Sequence, residues 1–122
     1  MRILVCGGRD FNDSRAVFRA LDELHASERG PITSLIEGGA RGVDESAYGW
    51  ALKKGLQHKT YPADWAANGK AAGPIRNAVM LRDGNPDLVM AFPGGRGTAH
   101  MVSLARKAGV EVIEVPAQCP GG

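Results

Sequence analysis

Apolar runs and amphipathic stretches alternate along this chain. Short apolar runs predict strands, and stretches with apolar residues every three or four positions predict helices. The predicted strands are Ile3–Cys6, Ile32–Ile36, Lys59–Tyr61, Leu88–Phe92 and Glu111–Val115, and the predicted helices are Ser14–Arg29, Val43–Lys54, Gly73–Asp83 and Thr98–Ala108. No sequence repeat or linker interrupts this alternation, so we expect one domain over residues 1–116 and a loose tail over residues 117–122.

Strict alternation of strands and helices predicts a parallel sheet that is covered by helices on both faces. The expected fold class is α/β, a Rossmann-like doubly wound parallel sheet of about five strands in the order 3-2-1-4-5. In that order the direction of winding reverses between the first and fourth strands. Ligands of such sheets bind beyond the carboxyl ends of the strands at this point.

Glycine is enriched in loops that follow three of the predicted strands. The chain has 17 glycines among 122 residues, about twice the usual share of ~7%. The loops span residues 7–13, 37–44 and 93–98, and each carries one arginine, namely Arg9, Arg41 and Arg96. Glycine lets a ligand approach the backbone, and a helix N-terminus attracts anions. The loops therefore predict a phosphate-binding rim, although tight strand-to-helix turns require glycine for their own reasons.

Candidate ligand-binding residues lie on these loops and at the start of the third predicted helix. They are Gly7, Gly8, Arg9, Gly38, Gly39, Arg41, Gly42, Asp44, Arg76, Asn77, Pro93, Gly94, Gly95, Arg96, Gly97 and Thr98. Arg76 falls in the first turn of its predicted helix, where the helix dipole disfavours a cation. Either a bound anion or a carboxylate such as Asp44 or Asp64 would compensate.

Some side chains near these loops have two alternative roles. Asp44 either caps the second predicted helix or accepts a hydrogen bond from a ribose hydroxyl. Asp64 and Trp65 are predicted to form a pocket wall, where Trp65 either stacks on a base or simply packs. Glu37, Asp44 and Arg76 are the candidates for catalytic roles. The sequence contains no cluster of histidine, cysteine or carboxylate with the spacing of a metal site, so we predict none.

Bulk properties narrow the classes of function. The formal net charge of +2 argues against nucleic acid as a partner. No apolar run reaches the ~20 residues of a membrane helix, and no signal peptide is recognisable, which predicts a cytoplasmic protein without a membrane partner. The two cysteines, Cys6 and Cys119, form no CxxC pair and are expected in a buried strand and an exposed tail.

Five segments together resemble the small YspA/YpsA-related branch of the SLOG superfamily, and the likeness spans residue 2 to about residue 115. These segments are Ile3–Arg9, Glu37–Asp44, Ala63–Trp65, Ala72–Asn77 and Phe92–Thr98. The resemblance implies a Rossmann-like fold and a pocket for nucleotides or nucleotide-derived ligands. It also implies a role as a ligand sensor or a nucleotide-processing enzyme.

Residues 93–98 also resemble the PGGxGTxxE motif of LONELY GUY phosphoribohydrolases, which cleave the base from nucleoside 5′-monophosphates. Arg76 matches their catalytic arginine by order along the chain. Met101 stands at the position of their catalytic glutamate, and a methionine cannot accept a proton. These relatives often form dimers, so the resemblance implies a homo-oligomer as an alternative to a monomer.

Three functions follow from these observations. The leading hypothesis is a sensor or carrier domain that binds a small nucleotide-type ligand at the carboxyl edge of the strands. The first alternative is a hydrolase that cleaves an N-glycosidic or phosphoester bond of a nucleotide. The second is a DNA-processing accessory module, since the resembled superfamily includes a DNA-uptake protein. The sequence predicts no other cofactor.

Overall fold

A five-stranded parallel sheet organises the computed structural model, which describes residues 1–117. The strands are β1 (Arg2–Cys6), β2 (Ser34–Glu37), β3 (Gln57–Thr60), β4 (Leu88–Ala91) and β5 (Glu111–Glu114). The helices are α1 (Ser14–Ala26), α2 (Val43–Lys54), α3 (Trp65–Asn68), α4 (Ala72–Gly84) and α5 (Arg96–Lys107), and a 3-10 turn (Gly69–Ala71) joins α3 to α4.

The strand order is β3-β2-β1-β4-β5, and every neighbouring pair is parallel, which confirms the predicted Rossmann-like topology. β1 lies in the centre and pairs with β2 on one side and with β4 on the other. The last residue of β1, Cys6, stands opposite the last residue of β4, Ala91. The loops that follow these two strands therefore start side by side.

Two apolar cores cover the two faces of the sheet because side chains of a strand alternate between faces. Ile3 and Val5 of β1 pack with α1 and α2, and the largest buried side chain there is Trp50 of α2. Leu4 and Cys6 point to the other face, where α4 and α5 cover them. α1 carries its buried residues at helical spacing, at positions 17, 21 and 24, as its sequence pattern predicts.

Several element boundaries differ from the sequence prediction. α1 ends at Ala26 rather than Arg29, where the hydroxyl and backbone N–H of Ser27 both donate to the carbonyl of Leu24. β3 lies at residues 57–60 rather than 59–61, and α5 begins two residues early, at Arg96. α3 was not predicted. It begins at Trp65, and the side chain of the preceding Asp64 accepts a hydrogen bond from the N–H of Ala67 and so caps this short alanine-containing turn.

Within residues 1–117 no helix has the length and apolar character needed to cross a bilayer. The predicted loose tail over residues 117–122, including Cys119, lies almost wholly outside the described residues.

Candidate functional site: a cavity at the carboxyl ends of the strands

Gly8 joins the three glycine-rich loops through its own backbone. Its N–H donates to the carbonyl of Pro93 at 2.9 Å, and its carbonyl accepts the N–H of Val43 at 3.3 Å. Hydrogen bonds thus connect the β1–α1 loop to the β4–α5 loop and to the start of α2. The three loops that the sequence places at one edge of the sheet form one continuous rim.

Some of the rim glycines are explained by packing within the protein. A Cβ at Gly7 would lie 2.5 Å from Cγ2 of Val43, and one at Gly94 would lie 2.8 Å from the backbone nitrogen of Gly8. Gly42 has φ +73°, and a Cβ there would meet the backbone of Gly8 and Arg9. The rim closes only because these positions have no side chain.

Gly95 and Gly97 differ from those glycines. A Cβ built at either position meets no atom within 4 Å, and neither residue has a positive φ. Gly95 precedes α5 and Gly97 lies in its first turn, where the backbone N–H groups have no partner within the helix. The absence of side chains at these two positions leaves the N-terminus of α5 open to a ligand.

A cavity of about 600 Å³ lies beside this helix start. We name it the strand-end cavity. Its lining comes from the carboxyl end of β1, the rim loops, α3 with the following 3-10 turn, and helices α2, α4 and α5. The lining residues are Val5, Cys6, Gly7, Gly8, Arg9, Asp10, Ala40, Asp44, Trp65, Lys70, Gly73, Pro74, Arg76, Asn77, Met80, Gly95, Arg96, Gly97, Thr98 and His100. Its volume is in the range of ordinary small-molecule sites, roughly 300–1,000 Å³.

Positive charge predominates around this cavity. Arg9, Lys70, Arg76 and Arg96 line it, against two carboxylates, Asp10 and Asp44. The N-terminal end of the α5 dipole adds a partial positive charge on the same wall. This arrangement favours an anionic ligand, and a phosphate group suits the exposed N–H groups of a helix start.

Arg76 is held in the cavity wall by backbone and side-chain acceptors. Its Nη1 donates to the carbonyl oxygens of Gly38 and Tyr61, and its Nε donates to Oδ1 of Asn77 at 2.9 Å. The prediction that Arg76 lies in a first helical turn is wrong, because α4 begins at Ala72 and continues from the 3-10 turn. These acceptors compensate its charge, so the dipole argument for an anion at Arg76 no longer holds.

Burial lowers the pKa of the Arg76 guanidinium, and the charge of Arg9 lowers it further. Asp44 and Glu37 oppose this shift. An arginine remains charged at neutral pH in any case. Arg9 and Arg76 both line the strand-end cavity, so an anion there would offset the charge of both side chains.

Asp44 braces the loop that precedes its own helix. Its Oδ2 accepts hydrogen bonds from the N–H groups of Gly38 and Ala40, both at 3.2 Å. Of the two roles that the sequence leaves open for Asp44, capping of α2 is wrong, since the residue before the helix is Gly42 and the bonds run back into the loop. Within residues 1–117, Oδ2 accepts these two hydrogen bonds and Oδ1 accepts none.

Burial raises the pKa of the Asp44 carboxyl to about 6, and the charge of Glu37 contributes to the increase. The N–H groups of Ala40 and Gly38 and the charge of Arg76 act in the opposite direction. A carboxyl group with a pKa near 6 changes protonation close to neutral pH. Asp44 also lines the strand-end cavity, so this change occurs beside any ligand in it.

Glu37 is buried but does not line the cavity. Its two carboxylate oxygens accept the N–H of Gly39 at 2.9 Å and the hydroxyl of Thr60 at 2.7 Å. Burial raises the pKa of this carboxyl, and those two hydrogen bonds counteract the rise. Glu37 connects β2 to β3 in the structure, and its oxygens are already used for that purpose.

Asn77 connects α4 to the start of α5. It is buried, and its Nδ2 lies 3.2 Å from the carbonyl of Gly97 and 3.2 Å from Nδ1 of His100. Its Oδ1 accepts from Arg76 as described. Asn77 thus fixes the position of Arg76 relative to the open helix start, and it is surrounded by cavity-lining residues.

Trp65 and Arg9 meet at the cavity. The guanidinium carbon of Arg9 lies 5.1 Å from the centre of the Trp65 ring, within the range of a cation–π contact. Trp65 is 49% exposed. Asp64, its predicted partner in the wall, caps α3 and lines a separate surface pocket beside α4.

The structure brings together many of the predicted ligand-binding residues, but not all of them. Those that line the strand-end cavity are Gly7, Gly8, Arg9, Asp44, Trp65, Arg76, Asn77, Gly95, Arg96, Gly97 and Thr98. Those that do not are Gly38, Gly39, Arg41, Gly42, Asp64, Pro93 and Gly94. Arg41 is exposed instead, with its Nη2 3.6 Å from Oδ1 of Asp10.

Sequence reasoning missed several lining residues. Lys70 lies in the 3-10 turn that follows the unpredicted α3, Cys6 is the last residue of β1, and Met80 and His100 lie within α4 and α5. The pairing of the buried Asn77 with His100 has no sequence motif. A signal for Cys6 was present, because it directly precedes the first glycine loop.

Met101, at the position of the phosphoribohydrolase glutamate, is fully buried in the core between α5 and the sheet. It does not line the cavity. Within residues 1–117 no group of three or more histidine, cysteine or carboxylate side chains is placed to hold a metal ion.

Comparison with known proteins assigns the family. The profile of the YspA, cpYpsA-related SLOG family matches residues 1–67, more than half of the chain. The chain belongs to this SLOG family. It is also 41% identical over 120 aligned residues to the Gene 61 protein of Mycobacterium phage D29, an alignment that covers 92% of this chain and 94% of that protein.

The fold of this SLOG protein is shared by DNA processing protein A (DprA) from Streptococcus pneumoniae. The two structures superpose with a TM-score of 0.77 at 18% sequence identity. The match covers 96% of the SLOG chain and 50% of the DprA chain, so the SLOG chain spans about half the length of that structure. At this identity the likeness establishes the fold.

Proposed function

We propose that this protein binds a nucleotide or a nucleotide-derived phosphorylated ligand in the strand-end cavity, as a sensor or carrier-type domain. The observation that carries the proposal is the open N-terminus of α5. Gly95 and Gly97 leave this helix start clear of side chains. Neither a close contact within the protein nor a positive φ requires glycine at these two positions. A phosphate would accept hydrogen bonds from the first N–H groups of the helix.

Charge around the cavity supports the same ligand class. Arg9 lies on the β1–α1 loop and Arg96 is the first residue of α5, and arginine can bind phosphate oxygens through two parallel N–H bonds. Asp44 lines the same cavity and uses Oδ2 for its two hydrogen bonds to the loop, so its other oxygen is left to accept from a hydroxyl such as that of a ribose. A ligand with both a phosphate and a sugar would use both features.

A thermal-unfolding screen tests this proposal. The ligands are AMP, ADP-ribose, NAD, cyclic nucleotides, ribose 5-phosphate and inorganic phosphate, with a single-stranded DNA oligonucleotide as a separate arm. A ligand present at a hundredfold excess over its Kd stabilises the folded protein by about 2.7 kcal/mol. No shift with any phosphorylated small molecule would contradict the proposal, and a shift with the oligonucleotide alone would favour a DNA-processing module instead.

Gly95→Val makes the screen specific to the helix start. The valine side chain meets open space, so the variant is expected to fold, but it would occupy the position of the phosphate. Gly49→Ala is the matched control, since Gly49 lies in α2 outside the cavity lining and a Cβ there would come no closer than 4.0 Å to Phe18. Retained ligand binding in Gly95→Val would place the phosphate elsewhere.

Asp44 favours one alternative function, hydrolysis of an N-glycosidic or phosphoester bond in the bound nucleotide. Its pKa near 6 and its position beside Arg76 suit a group that gives or takes a proton. Chromatography of the ligand after incubation tests this alternative. Release of free base or phosphate that Asp44→Asn abolishes would support hydrolysis, whereas an unchanged ligand would support binding alone.

A further inference from the structure

The segment that carries Trp65 has few attachments to the rest of the protein. Every residue from Asp64 to Ala71 is exposed, although the segment contains α3 and the 3-10 turn. It nevertheless supplies two lining residues of the strand-end cavity, Trp65 and Lys70. A large aromatic ring is therefore held at the edge of the cavity without being buried by the fold.

The ring of Trp65 lies beside Arg9 of the β1–α1 loop and beside Gly73 at the start of α4. The guanidinium of Arg9, from the β1–α1 loop, lies over the ring at 5.1 Å from its centre. On the side of α4, a Cβ at Gly73 would lie 3.5 Å from Cη2 of the indole, an ordinary van der Waals distance, so the start of α4 lies beside one edge of the ring. Arg9, Trp65 and Gly73 all line the cavity.

The contact between Arg9 and Trp65 is weak compared with the contact a nucleobase would make. An exposed cation–π contact contributes about 0.5–1 kcal/mol. Stacking of a base on an aromatic side chain contributes about 1–3 kcal/mol. A base that replaced the guanidinium on the indole would therefore gain free energy overall, and it would leave Arg9 available for the phosphate of the same ligand.

We propose that Trp65 is the stacking platform for the base of the ligand, and that Arg9 leaves the indole when the base arrives. This inference rests on the proposed nucleotide site and specifies its second half. The phosphate binds at the open start of α5, and the base binds at the edge of the cavity on the exposed α3 segment. The base then contributes affinity that a sugar phosphate alone lacks.

Tryptophan fluorescence separates this subsite from the phosphate site. The protein contains two tryptophans, and Trp50 is fully buried beneath α2, where its indole N–H donates to Asp22. Titration with AMP is expected to change the emission of the exposed Trp65. Titration with ribose 5-phosphate, which has no base, is expected to leave the emission unchanged. Trp65→Phe should lose the AMP signal because Trp50 remains out of reach.

Affinity measurements on variants complete the test. Trp65→Ala is expected to weaken AMP binding about 5- to 150-fold, the range that corresponds to base stacking, and to leave ribose 5-phosphate binding unchanged. Trp65→Phe should retain most of the AMP affinity, because a phenyl ring still stacks. Both variants should fold, since residue 65 is half exposed.

Two results would overturn the inference. An equal effect of Trp65→Ala on AMP and ribose 5-phosphate, or no effect on either, would show that the indole does not recognise the base, while the phosphate site would stand. Absence of binding by both ligands to the unaltered protein would remove the proposed function, and the stacking site with it.

Discussion

The guanidinium of Arg76 occupies the place where a side chain of residue 38 would begin. A Cβ at Gly38 would lie 2.7 Å from Cζ of Arg76 and closer still to Nη1, which donates to the carbonyl of the same glycine. The β2–α2 loop and α4 are thus fitted to each other through one arginine and one glycine that are 38 residues apart.

Gly38→Ala is expected to displace Arg76 and to lower the free energy of unfolding. The cost should be smaller in an Arg76→Ala background, because the guanidinium no longer occupies that space. Some cost should remain, because Oδ2 of Asp44 would still lie 3.1 Å from the new Cβ. Contacting residues typically show coupling energies of about 0.5–3 kcal/mol. A double-mutant cycle measured by urea unfolding checks this, and additive costs would contradict the fit between the two residues.

Asp44→Asn is expected to flatten the dependence of stability on pH between about 4 and 6. Burial raises the pKa of Asp44 from 3.8 to about 6, so the folded protein holds this proton more tightly than the unfolded chain. Protonated Asp44 therefore stabilises the folded protein at low pH, and this stabilisation is lost as the pH rises through about 6. Each unit of pKa difference between the folded and unfolded protein corresponds to ~1.4 kcal/mol. Above pH 7 the variant should unfold at a higher temperature than the unaltered protein.

The control for this prediction is Asp10→Asn, at an exposed aspartate of the same cavity. It should leave the pH profile unchanged between 4 and 6. Some slope should remain in Asp44→Asn because burial also raises the pKa of Glu37. Parallel profiles for Asp44→Asn and the unaltered protein would contradict the assignment.

Asn77→Leu is expected to lower the free energy of unfolding by about 1–3 kcal/mol, since buried groups lose their hydrogen-bond partner. The carbonyl of Gly97 and Nε of Arg76 both bond to this amide. Asn77→Asp, which keeps the acceptor for Arg76 but loses the donor to Gly97, should be less destabilising. Chemical denaturation measures both variants, and equal stability of Asn77→Leu and the unaltered protein would refute the role of the amide.

Cys6 is expected to react slowly with iodoacetamide in the folded protein. Burial raises the pKa of its thiol to about 12, and the nearby carboxylate of Asp44 contributes, so little thiolate forms at pH 8. Mass spectrometry of the peptide that contains residue 6 gives the rate, with protein unfolded in urea as the control. Fast labelling of Cys6 in the native protein would show that the cavity floor is open to the reagent.

The sequence predicted the sheet because its signals are local. The predicted strands Leu88–Phe92 and Ile3–Cys6 are short apolar runs followed by proline or glycine, a pattern that favours buried strands. The alternation of these runs with helices then leaves few topologies, and the order 3-2-1-4-5 is the one observed. The element boundaries were less accurate because capping by Asp64 and Ser27 depends on single side chains.

The sequence by itself placed glycines and arginines at one edge of a sheet, since strand ends and loops follow from the order of the chain. Tertiary structure decided which of them face the cavity. Gly7, Gly42 and Gly94 are required by contacts between loops, whereas Gly95 and Gly97 leave a helix start open. Arg76 and Asp44 acquired their partners from residues on other elements or loops, through distances that no periodicity encodes. Burial, which depends on the whole packed chain, then set the pKa of Asp44 near 6.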